Sequence, residues 1–208
     1  MEHFLLLFVV TFLATFIVTI PPGLLNVNAA KTSVEKNKLN GIIFSLGVST
    51  IVLFQAAAGV FVSKFLDNNP GIIAILLKVS IVVFSALAVY FFAAARRNKK
   101  RKVRLKKMRK RSSYYKGMLL ALVNFLAIPF YSGINIMWKA YGWIFFNTLD
   151  TVIFVLAAGC GTFAALYFYV LYFNRVEHKT HTFARNANYL LSFVMLVLLV
   201  INIIRINS

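Results

Sequence analysis

Acidic residues are scarce in this chain, which has five Asp and Glu against 23 Lys and Arg. None of the five lies within the long apolar runs described below, and they are Glu2, Glu35, Asp67, Asp150 and Glu177. Proton- or cation-coupled carriers often hold a carboxylate inside the membrane. No such carboxylate is visible in the sequence, and Asp150, at the start of the fifth run, and Glu35, in the first loop, are weak substitutes.

Cysteine is scarcer still, with Cys160 as its single instance. One thiol makes neither an intramolecular disulfide nor a dithiol redox couple, which argues against a thiol-redox carrier. We interpret Cys160, between Gly159 and Gly161, as a small residue where two helices cross. Catalytic Ser/His/Asp sets, phosphate-binding glycine loops and paired catalytic carboxylates are also missing. The sequence therefore predicts a protein that is not an enzyme and needs no cofactor or metal.

Apolar residues, in contrast, make up 61% of the chain, and the mean hydropathy is +0.80. Each apolar run is near or above the ~20 residues that span a bilayer. The runs cover residues 4–20, 41–66, 71–95, 117–138, 152–173 and 189–204. We predict an all-α, polytopic membrane protein whose single domain, residues 1–208, has six transmembrane helices. Because Met1-Glu2-His3 carries no Lys or Arg, we expect the first run to be retained and not cleaved as a signal peptide.

The basic residues are distributed unevenly among the five loops that connect these runs. Loops one, three and five hold nineteen of the 23, and twelve of those lie between Arg96 and Arg111. Cytoplasmic loops carry the excess of Lys and Arg. We therefore expect a multi-pass protein of the cell membrane with these loops in the cytoplasm and both termini outside. We expect the segment from Arg96 to Arg111 to contact anionic lipid headgroups, at ~1 kcal/mol per basic residue, and not nucleic acid.

Reporter fusions test this orientation. Fusions after residues 40, 113 and 180 are expected to report the cytoplasm, and fusions after residues 68 and 145 the exterior, because the basic loops stay inside. A cytoplasmic signal at residue 68 would overturn the orientation.

The basic loop divides the chain into two sets of three predicted spans, residues 1–95 and 114–208, joined by residues 96–113. Three is odd, so two repeated halves would lie inverted, as in many transporters. Each half has proline in its opening span, at Pro21-Pro22-Gly23 and at Pro129. Proline breaks the helical ladder and frees backbone groups, which makes matched breaks a pointer to a transport site. The alternative is that these prolines only kink their helices.

Amide side chains accompany the predicted breaks. Asn26 follows the first break, Asn124 precedes Pro129, and Gln55 lies in the second span. In hydrocarbon a side-chain amide needs partners, which are either the carbonyls freed by proline or a substrate. Lys78 is the only charge well inside a span, and it either snorkels outward or acts in transport. Small and hydroxyl residues recur on single helix faces, where close packing explains most of them: Thr11, Thr15, Thr19, Ser45, Ser49 and Ser132, the last on one face with Asn135.

Two stretches resemble the lysine-exporter (LysE/RhtB) translocator family. The first is Thr19-Ile20-Pro21-Pro22-Gly23-Leu24 with the later Gly41 and Gly47, and the second runs from Gly117 through apolar residues to Asn124. The basic loop and the six-span length agree with the family's layout. The resemblance implies a membrane exporter of amino acids, with the Pro-Gly motif and Asn124 at corresponding places in the two halves.

We therefore predict a transporter that exports a small polar or zwitterionic metabolite, such as an amino acid, by alternating access. The predicted substrate-binding residues are Pro21, Pro22, Gly23, Asn26, Gln55, Lys78, Asn124 and Pro129. The alternative function is a non-transporting membrane scaffold whose basic loop binds anionic partners.

Overall fold

A computed structural model describes residues 2–21, 23–69, 110–124 and 126–172, together with separate positions between 71 and 96 and between 192 and 203. The continuous part is all helical. Its helices are α1 (Glu2–Thr19), α2 (Leu24–Glu35), α3 (Lys38–Asp67), α4 (Lys110–Leu122), α5 (Ala127–Ala140) and α6 (Thr148–Tyr172). Pro22, Lys78 and most of the basic loop lie outside the described residues, as does most of the third and sixth predicted spans.

The predicted membrane character is visible in the helices. Three of them, α1, α3 and α6, are long and apolar enough to cross a membrane, and they match the first, second and fifth apolar runs. The fourth run forms a bent pair, Ser112–Leu122 and Ala127–Ala140, inclined at 66°. Large apolar side chains such as Phe54 and Phe61 are 68% and 74% exposed, which suits a bilayer better than water. The number of six spans and the orientation of the termini remain predictions.

The chain forms two compact units. The first contains Met1–Asp67 and Leu105–Glu177, and the second contains Asn68–Arg104 and His178–Ser208. Each unit therefore takes segments from both predicted halves. In the second unit, the hydroxyl of Ser192 donates to the carbonyl oxygen of Ala88 at 3.0 Å, so the third and sixth predicted spans contact each other.

Helix α3 is the centre of the first unit, because it packs against α2, α4, α5 and α6. Where α3 contacts α4, the backbones of the two helices touch directly. A Cβ added at Gly47 would lie 2.2 Å from the carbonyl oxygen of Tyr114, and one added at Gly117 would lie 2.2 Å from that of Phe44. Only glycine permits this approach, which is a common device in membrane helix pairs. Both glycines belong to the motifs singled out in the sequence.

Glycine also mediates the contacts of α6, but the neighbouring cysteine does not. A Cβ at Gly161 would lie 2.6 Å from the carbonyl oxygen of Phe12 in α1, and one at Gly159 would lie 2.5 Å from Cδ2 of Leu53 in α3. Cys160 is exposed. The interpretation of Cys160 as a packing residue was wrong, because the helix turns it away from both crossings.

Helix α2 lies where the sequence analysis placed the first loop. It is short and only weakly apolar, so hydropathy does not reveal it. One of its sides is buried, including Asn26, Ala29 and Ala30, and it packs against α3 and α6. The hydroxyl of Ser33 donates to the carbonyl oxygen of Val170 at 3.2 Å. The first span therefore continues, after a break, into a second helical segment.

Candidate functional site

The first break lies between α1 and α2. Helix α1 ends at Thr19 because Pro21 has no N–H and disfavours helical geometry at Ile20. The buried side chain of Asn26 donates to the carbonyl oxygens of Thr19 and, at 3.0 Å, of Pro21. The hydroxyl of Tyr169 in α6 donates to the carbonyl oxygen of Ile20. Polar side chains thus satisfy the carbonyls that the break exposes.

The second break separates α4 from α5 and lies about one turn before Pro129. The sequence analysis placed the helix end near Pro129 itself. Proline clashes with the carbonyl four residues earlier, so the chain leaves the helix before proline and Pro129 occupies the first turn of α5. Nε2 of Gln55 donates across the bundle to the carbonyl oxygens of Ala121 and Asn124, at 2.9 and 3.3 Å. Here too, an amide side chain donates to two carbonyls of the break.

The helices that restart after the breaks share a further property. Neither α2, with Gly23 at its N-cap, nor α5, with Leu126 at its N-cap, receives a side-chain capping hydrogen bond. The first N–H groups of a helix carry partial positive charge and attract anions. Both breaks therefore combine a helix start with carbonyl oxygens, and at α5 the N–H of Ala127 already donates to Asn124 at 3.3 Å while Pro129 has no N–H.

Helices α1 and α5 meet through long side chains, in a contact that we call the α1–α5 seam. Nε1 of Trp138 donates to Oγ1 of Thr11 at 3.0 Å, and the hydroxyl of Tyr131 lies beside the side chains of Thr15 and Thr162. Among the described helices, α1 packs its backbone closely against α6 alone. In the seam, aromatic side chains of α5 therefore contact α1, although the backbones of the two helices are not closely packed.

The seam also shows the relative direction of α1 and α5. Residue numbers rise along α1 from Thr11 to Thr15 while their partners fall along α5 from Trp138 to Tyr131, so the helices run antiparallel. Each break lies about one further turn from these contacts along its own helix, about 6 Å at 1.5 Å per residue.

Several buried oxygens near these elements have no hydrogen-bond partner among the described residues. They are Oγ1 of Thr15, Oγ of Ser49, Oε1 of Gln55 and Oδ1 of Asn135. Sequence reasoning attributed the faces with Thr15, Ser49 and Asn135 to close packing and did not single out Trp138 at all. Only their contacts with other helices distinguish these residues from ordinary packing residues. The helical periodicity of the sequence does not predict those contacts.

The structure brings some of the predicted site residues together. Asn26 contacts the backbone at Pro21, and Gln55 contacts the backbone at Asn124. The side chain of Asn124 is exposed, as are Gly23 and Pro129. For both Asn26 and Gln55, the observed partners are backbone carbonyls at the breaks, which was one of the two alternatives for a buried amide.

Charged side chains of the first unit collect at its two ends. Nε2 of His3 lies 3.1 Å from the buried carboxylate of Asp150, and Lys139 contacts Asp67 at the same end. At the opposite end Lys31 pairs with Glu35 at 3.4 Å, and Nζ of Lys36 donates to Ser113 at 2.9 Å. Within the described residues, no group of three His, Cys, Asp or Glu side chains is placed to hold a metal ion.

Comparison with known proteins identifies the family. The sequence model of the LysE type translocators matches residues 4–204, nearly the whole chain. No curated protein and no solved structure gives a significant match. The match includes both breaks, the two glycines of the α3–α4 crossing and the α1–α5 seam. The chain therefore belongs to the LysE type translocator family and is a membrane transporter.

Proposed function

We propose that this transporter exports a small polar or zwitterionic solute, such as an amino acid, from the cell by alternating access. The observation that carries the proposal is the pair of helix breaks, each with a helix start that has no side-chain cap and with carbonyls held by an amide. Discontinuous helices of this kind bind substrates in secondary transporters, with their N-termini directed at anionic groups.

A zwitterion suits this arrangement because it presents both charges. Its carboxylate would accept hydrogen bonds from the N–H groups that begin α2 and α5, at Gly23 and Leu126. Its ammonium group would donate to oxygens at the second break, where Oε1 of Gln55 has no partner among the described residues. The exposed amide of Asn124 can donate and accept at once, so it serves either end.

The remaining proposed residues shape or adjoin this site. Pro21, Pro22 and Pro129 keep the two openings from closing into continuous helix, and Asn26 fixes the first opening. Lys78 is proposed to act in transport, through contact with the solute or with its coupling, in preference to snorkelling.

Two features support an arrangement of inverted halves that move against each other. Each half opens with a broken helix followed by a long one, namely α1, α2 and α3 in the first and α4, α5 and α6 in the second. The third and sixth predicted spans, one from each half, belong to the same compact unit. Corresponding spans would be paired in this way in an inverted repeat.

An export assay tests the proposal. Cells overexpressing the protein are loaded with a panel of amino acids and related metabolites, and solute appearance outside is followed. Asn124→Leu is expected to abolish export of the active solute while membrane abundance stays near wild type, since Leu is similar in size and favourable in lipid. Asn28→Leu is the control, because among the described residues the Asn28 amide donates to Leu24 of its own helix, at 2.8 Å.

The outcome also separates transport from the scaffold alternative. Neutral replacements in the segment 96–111 would remove a scaffold's partner binding, whereas an exporter would lose mainly its orientation. If overexpression exports nothing from the panel, the proposed function is contradicted. If Asn124→Leu exports as well as the wild type, the proposed site is contradicted.

A further inference from the structure

Three lysines that the sequence places in the first and third predicted loops meet at one end of the first unit. Lys31 lies in α2, Lys36 follows the last residue of that helix, and Lys116 lies in α4. The charges of Lys31 and Lys36 both act on the ammonium group of Lys116, so the three are neighbours. All three are half-buried, and we call them the lysine cluster. They lie outside the segment from Arg96 to Arg111 for which the sequence predicts lipid contact.

The packing of three helices sets the position of the lysine cluster. Nζ of Lys36 donates to the hydroxyl of Ser113 in α4 at 2.9 Å. That buried hydroxyl donates in turn to Oδ1 of Asn40 in α3 at 3.2 Å. Nζ of Lys116 lies 6.0 Å from the centre of the Phe44 ring, also in α3. The lysines are therefore attached to the fold and do not project independently into solvent.

The lysine cluster carries more positive charge than the described residues neutralise. Glu35 is the carboxylate whose charge acts on Lys116, and it pairs with Lys31 at 3.4 Å. Lys116 makes no ion pair within the described residues. Three ammonium groups beside this carboxylate leave an excess of positive charge. Because like charges held close together repel each other, an anion that binds among them is stabilised.

Exposed apolar side chains continue from the lysine cluster along α4 toward the second break. Leu119 lies one turn from Lys116 on the same face, and Val123 lies one turn further, just past the helix end. These two side chains are 64% and 57% exposed. An anionic phospholipid has the matching arrangement, because its phosphate lies at the membrane surface and its acyl chains extend inward. Free phosphate would use the lysines alone.

We propose that the lysine cluster binds the phosphate of an anionic phospholipid, such as phosphatidylglycerol, with an acyl chain along Leu119. Lysine binds phosphate as a point charge, and basic pockets between membrane helices bind anionic headgroups. Because Lys31 belongs to the first predicted half and Lys116 to the second, the lipid would join α2 to α4. This inference goes beyond the export function and does not depend on the identity of the solute.

Thermal unfolding of the purified full-length protein in detergent tests the proposal. The Tm is followed by circular dichroism as phosphatidylglycerol, phosphatidylcholine with the same acyl chains, or inorganic phosphate is added. Phosphatidylglycerol is expected to raise the Tm of the wild type in a saturable way, because a ligand that binds the folded state stabilises it. Phosphatidylcholine carries no net charge and inorganic phosphate has no acyl chain, so both are expected to leave the Tm unchanged.

Two variants each remove one ammonium group from the lysine cluster. Lys116→Met and Lys31→Gln are each expected to raise the half-saturating amount of phosphatidylglycerol about fivefold, the effect of one basic residue near an anionic surface. In phosphatidylcholine, Lys116→Met is expected to unfold at or above the wild-type Tm, because it removes the repulsion from Lys31 and Lys36. A lysine with only a structural role would lower the Tm in both lipids.

Lys38→Gln is the matched control, because it removes the same charge outside the lysine cluster. Lys38 begins α3 at this end of the unit and is exposed. Salt screens an exposed charge, so the half-saturating amount of phosphatidylglycerol is expected to stay within about twofold of the wild type.

Four results would overturn the proposal. Phosphatidylglycerol could leave the wild-type Tm unchanged, or both cluster variants could keep the wild-type response, which would assign the lipid effect to other basic residues. Lys38→Gln could weaken the response as much as the cluster variants, which would show only a general attraction to anionic lipid. An equal rise of the Tm with inorganic phosphate would assign the cluster to a soluble anion.

Discussion

Gly117→Ala is expected to separate α3 from α4 and to leave little folded protein. The added Cβ would lie 2.2 Å from the carbonyl oxygen of Phe44, and Gly47→Ala would make the reciprocal clash with Tyr114. Both obstructing atoms belong to the backbone, so no side-chain rotation relieves the clash. The helices must move apart by roughly 1 Å, and the lost contact costs about 3 kcal/mol.

The yield of monodisperse protein after size-exclusion chromatography and the Tm in detergent measure this effect. Gly133→Ala is the control, because a Cβ at Gly133 in α5 meets nothing within 4 Å. That variant is expected to match the wild type or to gain up to about 1 kcal/mol from the higher helix propensity of alanine. Wild-type yield and Tm for Gly117→Ala would mean that the crossing is not tightly constrained.

Gln55→Met is expected to lower stability and export together. Methionine fills a similar volume but donates nothing, so the carbonyl oxygens of Ala121 and Asn124 lose the Gln55 amide. Each carbonyl keeps a backbone donor, the N–H of Asn124 for Ala121 and the N–H of Ala127 for Asn124, so each lost hydrogen bond costs about 0.5–1.5 kcal/mol. The second break should then close or shift, which removes the backbone geometry on which the proposed site depends.

Ser45→Ala provides the comparison for Gln55 on the same helix. The Ser45 hydroxyl is buried like the Gln55 amide, but it donates at 3.0 Å to the Gly41 carbonyl, which belongs to its own helix. Its removal is expected to change the free energy of unfolding by less than about 1 kcal/mol and to leave export intact. Equal Tm values for Gln55→Met and the wild type would show that the second break does not need Gln55.

Hydropathy was sufficient to find the long helices, because a bilayer demands a continuous apolar surface from each span. The apolar run at residues 41–66 became α3, Lys38–Asp67, and the run at 152–173 became α6, Thr148–Tyr172. Proline chemistry predicted that the opening span of each half is interrupted. Because proline clashes with the carbonyl four residues earlier, Pro129 also indicates that the second break lies one turn before it. The sequence analysis did not use this information.

The features that the sequence did not predict depend on contacts between residues that are distant in the chain. Helix α2 is stabilised by burial against α3 and α6 and carries no strong apolar pattern. Gln55 and Asn124 are far apart in sequence, and nothing local to either one indicates the hydrogen bond between them. The seam between Thr11 and Trp138 likewise follows from packing. Sequence patterns identify which residues are unusual for a bilayer, but the partners are set by the fold.

The close crossing of α3 and α4 also has a consequence for how the protein is made. Gly47 and Gly117 are separated by a third predicted span and the basic loop, so α3 leaves the ribosome long before its partner. At typical rates of synthesis the delay is on the order of ten seconds. During that interval the glycine face of α3 is open to lipid or to the insertion machinery. A factor that shields small-residue helix faces during translation would therefore act on this chain before residue 117 is made, and a slower ribosome would prolong the vulnerable period.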